Sequence, residues 1–481
     1  MYFYSSQFKN IMSARINLSD AIFMVMGSMI GSGIFIVSAD MSRTLGGGGW
    51  LLVAWIITGI LSVLGALCFG ELAAMMPKSG GQYHYLKECY NNLIGFLYGW
   101  TLFLVIQTGT MAAVAVAFAK FTSIIFPVFS PENVLLDLGY LKINAAQILA
   151  IASLILLSFL NTRGLSYGKL IQSIFTSTKV FALIGIIVCG IFIFRDDATL
   201  QSNLSHFWDS FTTYKDGKTS ENLLGLALLS GIGGAMVGSL FSADAWNYIT
   251  FIAGDMNNPK RNIPLSMIIG VSSVCAIYFL ANVAYLCVLP ILGDPNALDV
   301  YHRGIMFATQ DRVGTAAALQ MFGSIGAIIM AILIMISTFG CNNGLIISGA
   351  RVYQTMAKDG LFFLALRKTN KFNVPFIAIW VQCFWTIILC LSGKYGDLLD
   401  YVMFAVMIFY IITVIGLLIL RVKKPNADRP YKVALIIPIL YLFLTISFTL
   451  NLLITKPQFT IPGLVIVLLG VPVFYIFRKI L

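Results

Sequence analysis

Long apolar blocks alternate with short polar connections along the whole chain, too long and too uniformly apolar to be half-buried faces of a soluble fold. Leu51 to Met75, Leu265 to Leu289 (after the start signal Pro264) and Ile461 to Phe477 each reach or approach the roughly 20 residues a helix needs to cross a bilayer. Read against Pro, Gly and charge punctuation, the pattern gives about twelve spans, at 18–40, 50–76, 93–123, 143–161, 168–194, 226–253, 265–289, 316–350, 375–392, 398–420, 434–454 and 461–478. The expectation is an all-α membrane protein of about twelve transmembrane helices.

Composition agrees: 59% of the 481 residues are hydrophobic and 11% are charged, whereas soluble domains carry roughly a quarter charged residues. A net charge of +11 raises nucleic acid as a partner, but its distribution excludes that reading. With a cytoplasmic N-terminus, about twenty Lys and Arg fall on the inner side and about ten outside, as the positive-inside rule requires. The inner set includes Arg163, Lys260, Arg261, Arg367, Lys368, Lys371 and the run Arg421, Lys423, Lys424, Arg429, Lys432. Residues 1–17 and the C-terminus are then cytoplasmic, and 195–225 form the longest outer connection. No cleavable signal peptide is evident, since the first apolar block is too long and too broken by glycine. The eight cysteines are scattered without a C-x-x-C pair, and His84, His206 and His302 lie far apart, so no disulfide framework, metal site or cofactor is expected.

Two spans carry unusual interiors. The first contains Gly27-Ser28-Met29-Ile30-Gly31-Ser32-Gly33-Ile34-Phe35, and the sixth runs from Gly231 through Phe241-Ser242-Ala243-Asp244-Ala245-Trp246. They are the opening spans of two five-helix halves, 18–194 and 226–420, if the architecture is an inverted repeat, with 421–481 adding two helices. Unwound backbone within a membrane needs protein or an aqueous cavity to satisfy its polar groups. Such a break exposes N–H groups that suit a carboxylate and carbonyls that suit an ammonium group. A zwitterionic amino acid fits both; close helix packing through small residues is the alternative.

The intramembrane charges Lys179 and Asp244 are functional candidates by position. Each has a structural alternative, Lys179 with a carboxylate or backbone carbonyl and Asp244 with Lys179 or a hydroxyl. Trp246 either shapes a pocket or anchors packing. Gln107, Thr108, Asn342 and Asn343 need partners inside apolar runs, from a neighbouring helix or a ligand. Glu71 and Lys78 end the second span as interface or gating charges, and Gly46 to Gly49 read as a flexible turn because a phosphate loop's G-K-[ST] ending is absent.

Taken in order, Gly27 to Phe35, Glu71-Leu72-Ala73 with Pro77-Lys78-Ser79-Gly80-Gly81, Asn161-Thr162-Arg163-Gly164, Asn257 to Pro264 and Arg429-Pro430-Tyr431-Lys432-Val433 resemble the amino acid, polyamine and organocation superfamily. Within it, the chain resembles prokaryotic relatives of the L-type amino acid transporters. The resemblance implies a LeuT-type fold of two inverted five-helix repeats plus two helices, and amino acid transport by alternating access. It implies that the substrate carboxylate meets Ser32, Gly33 and Ile34, and that the amino group meets carbonyls near Ile30, Phe241 and Asp244, with Ser242 beside them. Phe241 would close the site from outside. Lys179 would stand where sodium-coupled relatives hold sodium, implying a sodium-independent exchanger or facilitator in the cell (inner) membrane. Gln107, Trp246 and Asn343 complete the candidate pocket. The animal L-type transporters join a glycoprotein through a cysteine between spans three and four; 126–142 has none, so no disulfide-linked heavy subunit is expected.

Two other readings remain. A proton-coupled amino acid or polyamine symporter would rest on Asp244. A membrane enzyme or channel lacks a matching motif, since no H-E-x-x-H, G-x-S-x-G or carbonyl-filter sequence occurs.

Overall fold

The computed structural model describes residues 16–78, 80–137, 142–163, 166–392 and 395–480. Residues 1–15 of the expected N-terminal segment, Ser79 and Gly164 of the motifs, and Leu481 at the C-terminus lie outside the described residues.

Helix α1 (Leu18–Met29) starts at a capping box, in which the Asp20 N–H donates to the Asn17 side chain at 2.8 Å and the Asn17 N–H donates back to Asp20 at 3.2 Å. It stops at Ile30, whose backbone is extended (φ −74°, ψ 92°). One 3₁₀ turn, Gly33–Phe35, follows, and the helix restarts as α2 (Val37–Leu45). The span expected at 18–40 is therefore two half-helices, interrupted where its glycines lie.

Next come α3 (Gly48–Met75), α4 (Gln82–Cys89) and α5 (Asn92–Thr101). A π-helical turn at Leu102–Ile106 leads into α6 (Gln107–Ile125). A short antiparallel hairpin, β1 (Val134–Asp137) with β2 (Lys142–Asn144), precedes α7 (Ala145–Thr162) and α8 (Ser166–Val188). The long connection folds into α9 (Asp197–Ser205) and a second hairpin, β3 (Phe211–Thr213) with β4 (Thr219–Asn222).

Helix α10 (Leu226–Ser242) ends in a second break, and a 3₁₀ segment, Trp246–Asp255, continues the chain. The remainder is α11 (Pro259–Val288), the short α12 (Val300–Arg303), α13 (Val313–Lys358), α14 (Phe376–Ser392), α15 (Tyr395–Lys423), α16 (Ile436–Thr455) and α17 (Pro457–Ile480).

Among the described residues, ten helices are long and apolar enough to cross a membrane, and Leu18–Met29 and Phe376–Leu391 are shorter apolar helices. The expected span 316–350 is longer, at Val313–Lys358, because helical hydrogen bonding continues past the apolar block, chiefly through Arg351 to Lys358. Its kink falls at Gly323 (φ 67°, ψ −161°), a conformation open to glycine.

The broken first span is central. Helix α1 packs on α11 and α8, while α10 packs on α2. At one end of the bundle the Gly46 to Gly49 turn is pinned rather than loose. The Gly47 and Gly49 N–H groups donate to the Asp209 and Phe207 carbonyls, both at 2.7 Å, and a Cβ on Gly47 would lie 2.5 Å from the Phe207 carbonyl. Glycine is required there for close backbone approach.

At the opposite end, fully buried Glu71 on α3 accepts from Arg421 of α15, with Nε to Oε1 at 3.0 Å and Nη2 to Oε2 at 2.5 Å. It also accepts the Val433 N–H at 2.9 Å and has the Arg429 Nε at 3.4 Å. The carboxylate thus ties α3, α15 and the following segment together. Removing one partner of a buried ion pair strands the other, at about 3–5 kcal/mol. Glu71→Ala is accordingly expected to lower the thermal unfolding midpoint of the purified protein clearly; an unchanged midpoint would contradict the tie.

Candidate functional site

Interrupting α1 frees carbonyls that the helix would otherwise use. Two accept from one ammonium group: Lys179 Nζ, on α8 and buried, donates to the Gly27 carbonyl at 2.7 Å and the Ile30 carbonyl at 2.8 Å. Ser337 Oγ, from α13, donates to Ile30 as well at 3.2 Å. Cys341 Sγ stands 3.6 Å from the Ser28 carbonyl. A lysine's three donors suit adjacent exposed carbonyls in a medium without water.

The second break lies against the first. After α10, Ala245 is left-handed (φ 67°, ψ 4°), turning the chain into the 3₁₀ segment. Ser242 packs so closely on Gly33 that a Cβ there would lie 2.0 Å from Ser242 Oγ. The buried Tyr278 hydroxyl, on α11, donates toward the carbonyls of both breaks, Met29 at 3.0 Å and Ser242 at 3.2 Å. Tyr285 reaches the Ile34 carbonyl at 3.4 Å.

Beside the junction, Asp244 is buried and accepts from the Tyr410 hydroxyl at 2.5 Å. Asp244 lines two adjoining small cavities, one with Tyr98, Asn247 and Tyr248, the other with Ser62, Trp246 and Tyr441. Trp246 packs edge-on against Phe69, with centroids 5.0 Å apart, and tilted against Tyr410 at 5.4 Å. It is both cavity wall and packing anchor.

Ile30, Gly33, Ser242 and Lys179 are thus brought into one contact network. Ser32 and Ile34 are buried within the first break, and half-buried Phe241 and buried Asp244 belong to the second. Gln107 and Asn343 lie in helix-to-helix bonds. Gln107 donates to the Leu345 carbonyl of α13 at 2.6 Å, and Asn343 accepts from Asn161 of α7 at 2.8 Å.

Tyr278, Ser337 and Tyr410 were not singled out from the sequence. Their signal was a hydroxyl inside an apolar span, which identifies a need for a partner but not the partner itself.

Two abutting helix breaks inside a bundle of long apolar helices, one held by a buried ammonium group, define a polytopic membrane transporter. The family model for amino acid permease matches residues 16–477, and the chain belongs to that family. It is 30% identical over 469 residues to the large neutral amino acids transporter small subunit 2 of Mus musculus, covering 96% of this chain and 80% of that protein. It is similar also to the Asc-type amino acid transporter 1 of Mus musculus (29% over 468 residues; 96% and 81% covered). The b(0,+)-type amino acid transporter 1 of Homo sapiens is 28% identical over 468 residues (96% and 87% covered).

The Gly33–Ser242 contact generates a paired test. Gly33→Ala should abolish uptake by forcing the breaks apart, and a second substitution, Ser242→Gly, should restore part of it by removing the opposing side chain. Full uptake by Gly33→Ala in reconstituted vesicles would refute the contact's importance.

Proposed function

We propose that the chain carries amino acids by alternating access as a sodium-independent exchanger or facilitator, with the substrate's α-amino and α-carboxyl groups read by the two breaks. The observation that carries this reading is Lys179 donating to the Gly27 and Ile30 carbonyls. A fixed ammonium on those oxygens does the electrostatic work that a sodium ion would do there. The carboxylate would meet the N–H groups of Ser32, Gly33 and Ile34 at the restart of the first span. The amino group would meet carbonyls near Ile30, Phe241 and Asp244, with Ser242 between the breaks and Phe241 as the closing aromatic.

The remaining assignments follow the charge pattern. Both termini face the cytoplasm, the protein spans the cell (inner) membrane, and 18–194 and 226–420 form inverted repeats. One relative is named a small subunit, but 126–142 has no cysteine; the chain acts without a disulfide-linked heavy subunit.

Lys179→Ala should cut amino acid uptake about tenfold or more at unchanged expression, because charge-assisted hydrogen bonds of roughly 1.5–3 kcal/mol are lost. Replacing sodium by choline should leave wild-type uptake unchanged. Uptake that survives Lys179→Ala, or that requires sodium, contradicts the assignment.

Asp244 favours a second reading, proton-coupled symport, because this buried acidic residue lines both cavities. Imposed pH gradients separate the two. Uptake that follows the gradient in vesicles without internal substrate, and that Asp244→Asn abolishes, selects symport; uptake requiring internal amino acid selects exchange.

A further inference from the structure

Helix α13 reaches from one end of the bundle to the other, and an aspartate stands just beyond each of its ends. Before its start, Asp311 Oδ1 accepts from Arg43 Nη1 at 2.7 Å, and the same nitrogen donates to the Met306 carbonyl at 2.5 Å. Arg43 is buried and lies in the last turn of α2, the half-helix that restarts after the first break. Lys215, from the connection between α9 and α10, adds a longer contact to Asp311 at 3.4 Å.

The backbone is strained at this point. Gln310 and Asp311 are consecutive non-glycine residues with positive φ, 54° and 63°, a conformation kept only where surrounding contacts enforce it. Desolvation pushes the Asp311 carboxyl up, but Arg43, Lys120 and Lys215 outweigh it and hold Asp311 below the ordinary carboxylate value. The pair is therefore ionic at neutral pH.

Past the other end of α13, Asp359 Oδ2 accepts from Lys87 Nζ at 2.7 Å and from the Tyr83 hydroxyl at 2.8 Å, both on α4. Helix α4 is in turn seated on the second break's continuation, since the Asn247 side-chain amide donates to Gln82 Oε1 at 3.1 Å. Between the two aspartates, Ser337 joins the middle of α13 to the Ile30 carbonyl.

We propose that Arg43–Asp311 and Lys87/Tyr83–Asp359 are opposed latches on one helix, the first closing the outer path by holding α2 and the second closing the inner path by holding α4. The proposal rests on the transport reading and its orientation. Both latches are made in this structure. Opening to either side requires release of one, so each contact biases the conformational equilibrium by its own differential energy. Partial exposure of Lys87 and Asp359 keeps the inner pair weak enough to break in every cycle.

Hydrogen–deuterium exchange of the full-length protein in lipid vesicles tests this. Asp311→Asn should raise exchange of residues 37–49 about fivefold and leave 82–89 as protected as in wild type, or more so. Asp359→Asn should do the reverse, and Asp311→Glu and Asp359→Glu should return both segments toward wild type. Opening at both ends together, no change at either, or failure of Asp311→Asn to fold would overturn the latches, the last by making the outer pair a structural tie. Wild-type vesicles assayed in parallel keep the two questions apart. Absence of amino acid uptake refutes the transport reading, whereas normal uptake with the wrong exchange pattern refutes the latches alone.

Discussion

A backbone that stops being helical inside a membrane exposes carbonyls to a medium with nothing to donate to them, and each must be satisfied by protein. Lys179 meets that demand at the first break, where one ammonium group serves the Gly27 and Ile30 carbonyls. Much of the surrounding architecture keeps this arrangement in place. Helix α8 delivers the lysine, α13 supplies Ser337 to the same oxygen, and α11 supplies Tyr278 to the carbonyls of both breaks. The first break is thereby held by side chains from three other helices.

The packing of the breaks shows why small residues are needed. Gly33 lets Ser242 approach to a separation that any Cβ would forbid, so the two unwound segments meet directly. Beyond the junction, Asp244, Trp246 and Tyr410 stand together.

Much of this was legible in the sequence because membrane helices announce themselves by length and apolarity, and because glycine clusters and a lysine are conspicuous inside such blocks. The interruption at Ile30 to Ile36, the turn at Ala243 to Ala245 and the buried position of Lys179 followed from local composition alone. Partners did not. Gln107 and Asn343 called for a partner on a neighbouring helix or, less often, a ligand, and only the packing of α6 and α7 against α13 directs them to the Leu345 carbonyl and to Asn161. Tyr278 and Tyr410 were invisible for the same reason: their significance lies in what stands opposite them across the bundle. Glu71 could be placed at a span's end, but not recognised as a buried tie until Arg421, 350 positions away, was seen beside it.

If the two breaks read the amino acid backbone itself, blocking either backbone charge prevents transport. Counterflow into proteoliposomes, comparing a labelled amino acid with its N-acetyl and methyl ester derivatives, tests it most directly. Saturable uptake of the free amino acid and no measurable uptake of either derivative is expected, since each derivative lacks one of the two charges proposed to meet the breaks. Transport of both blocked derivatives at rates like that of the parent would contradict it.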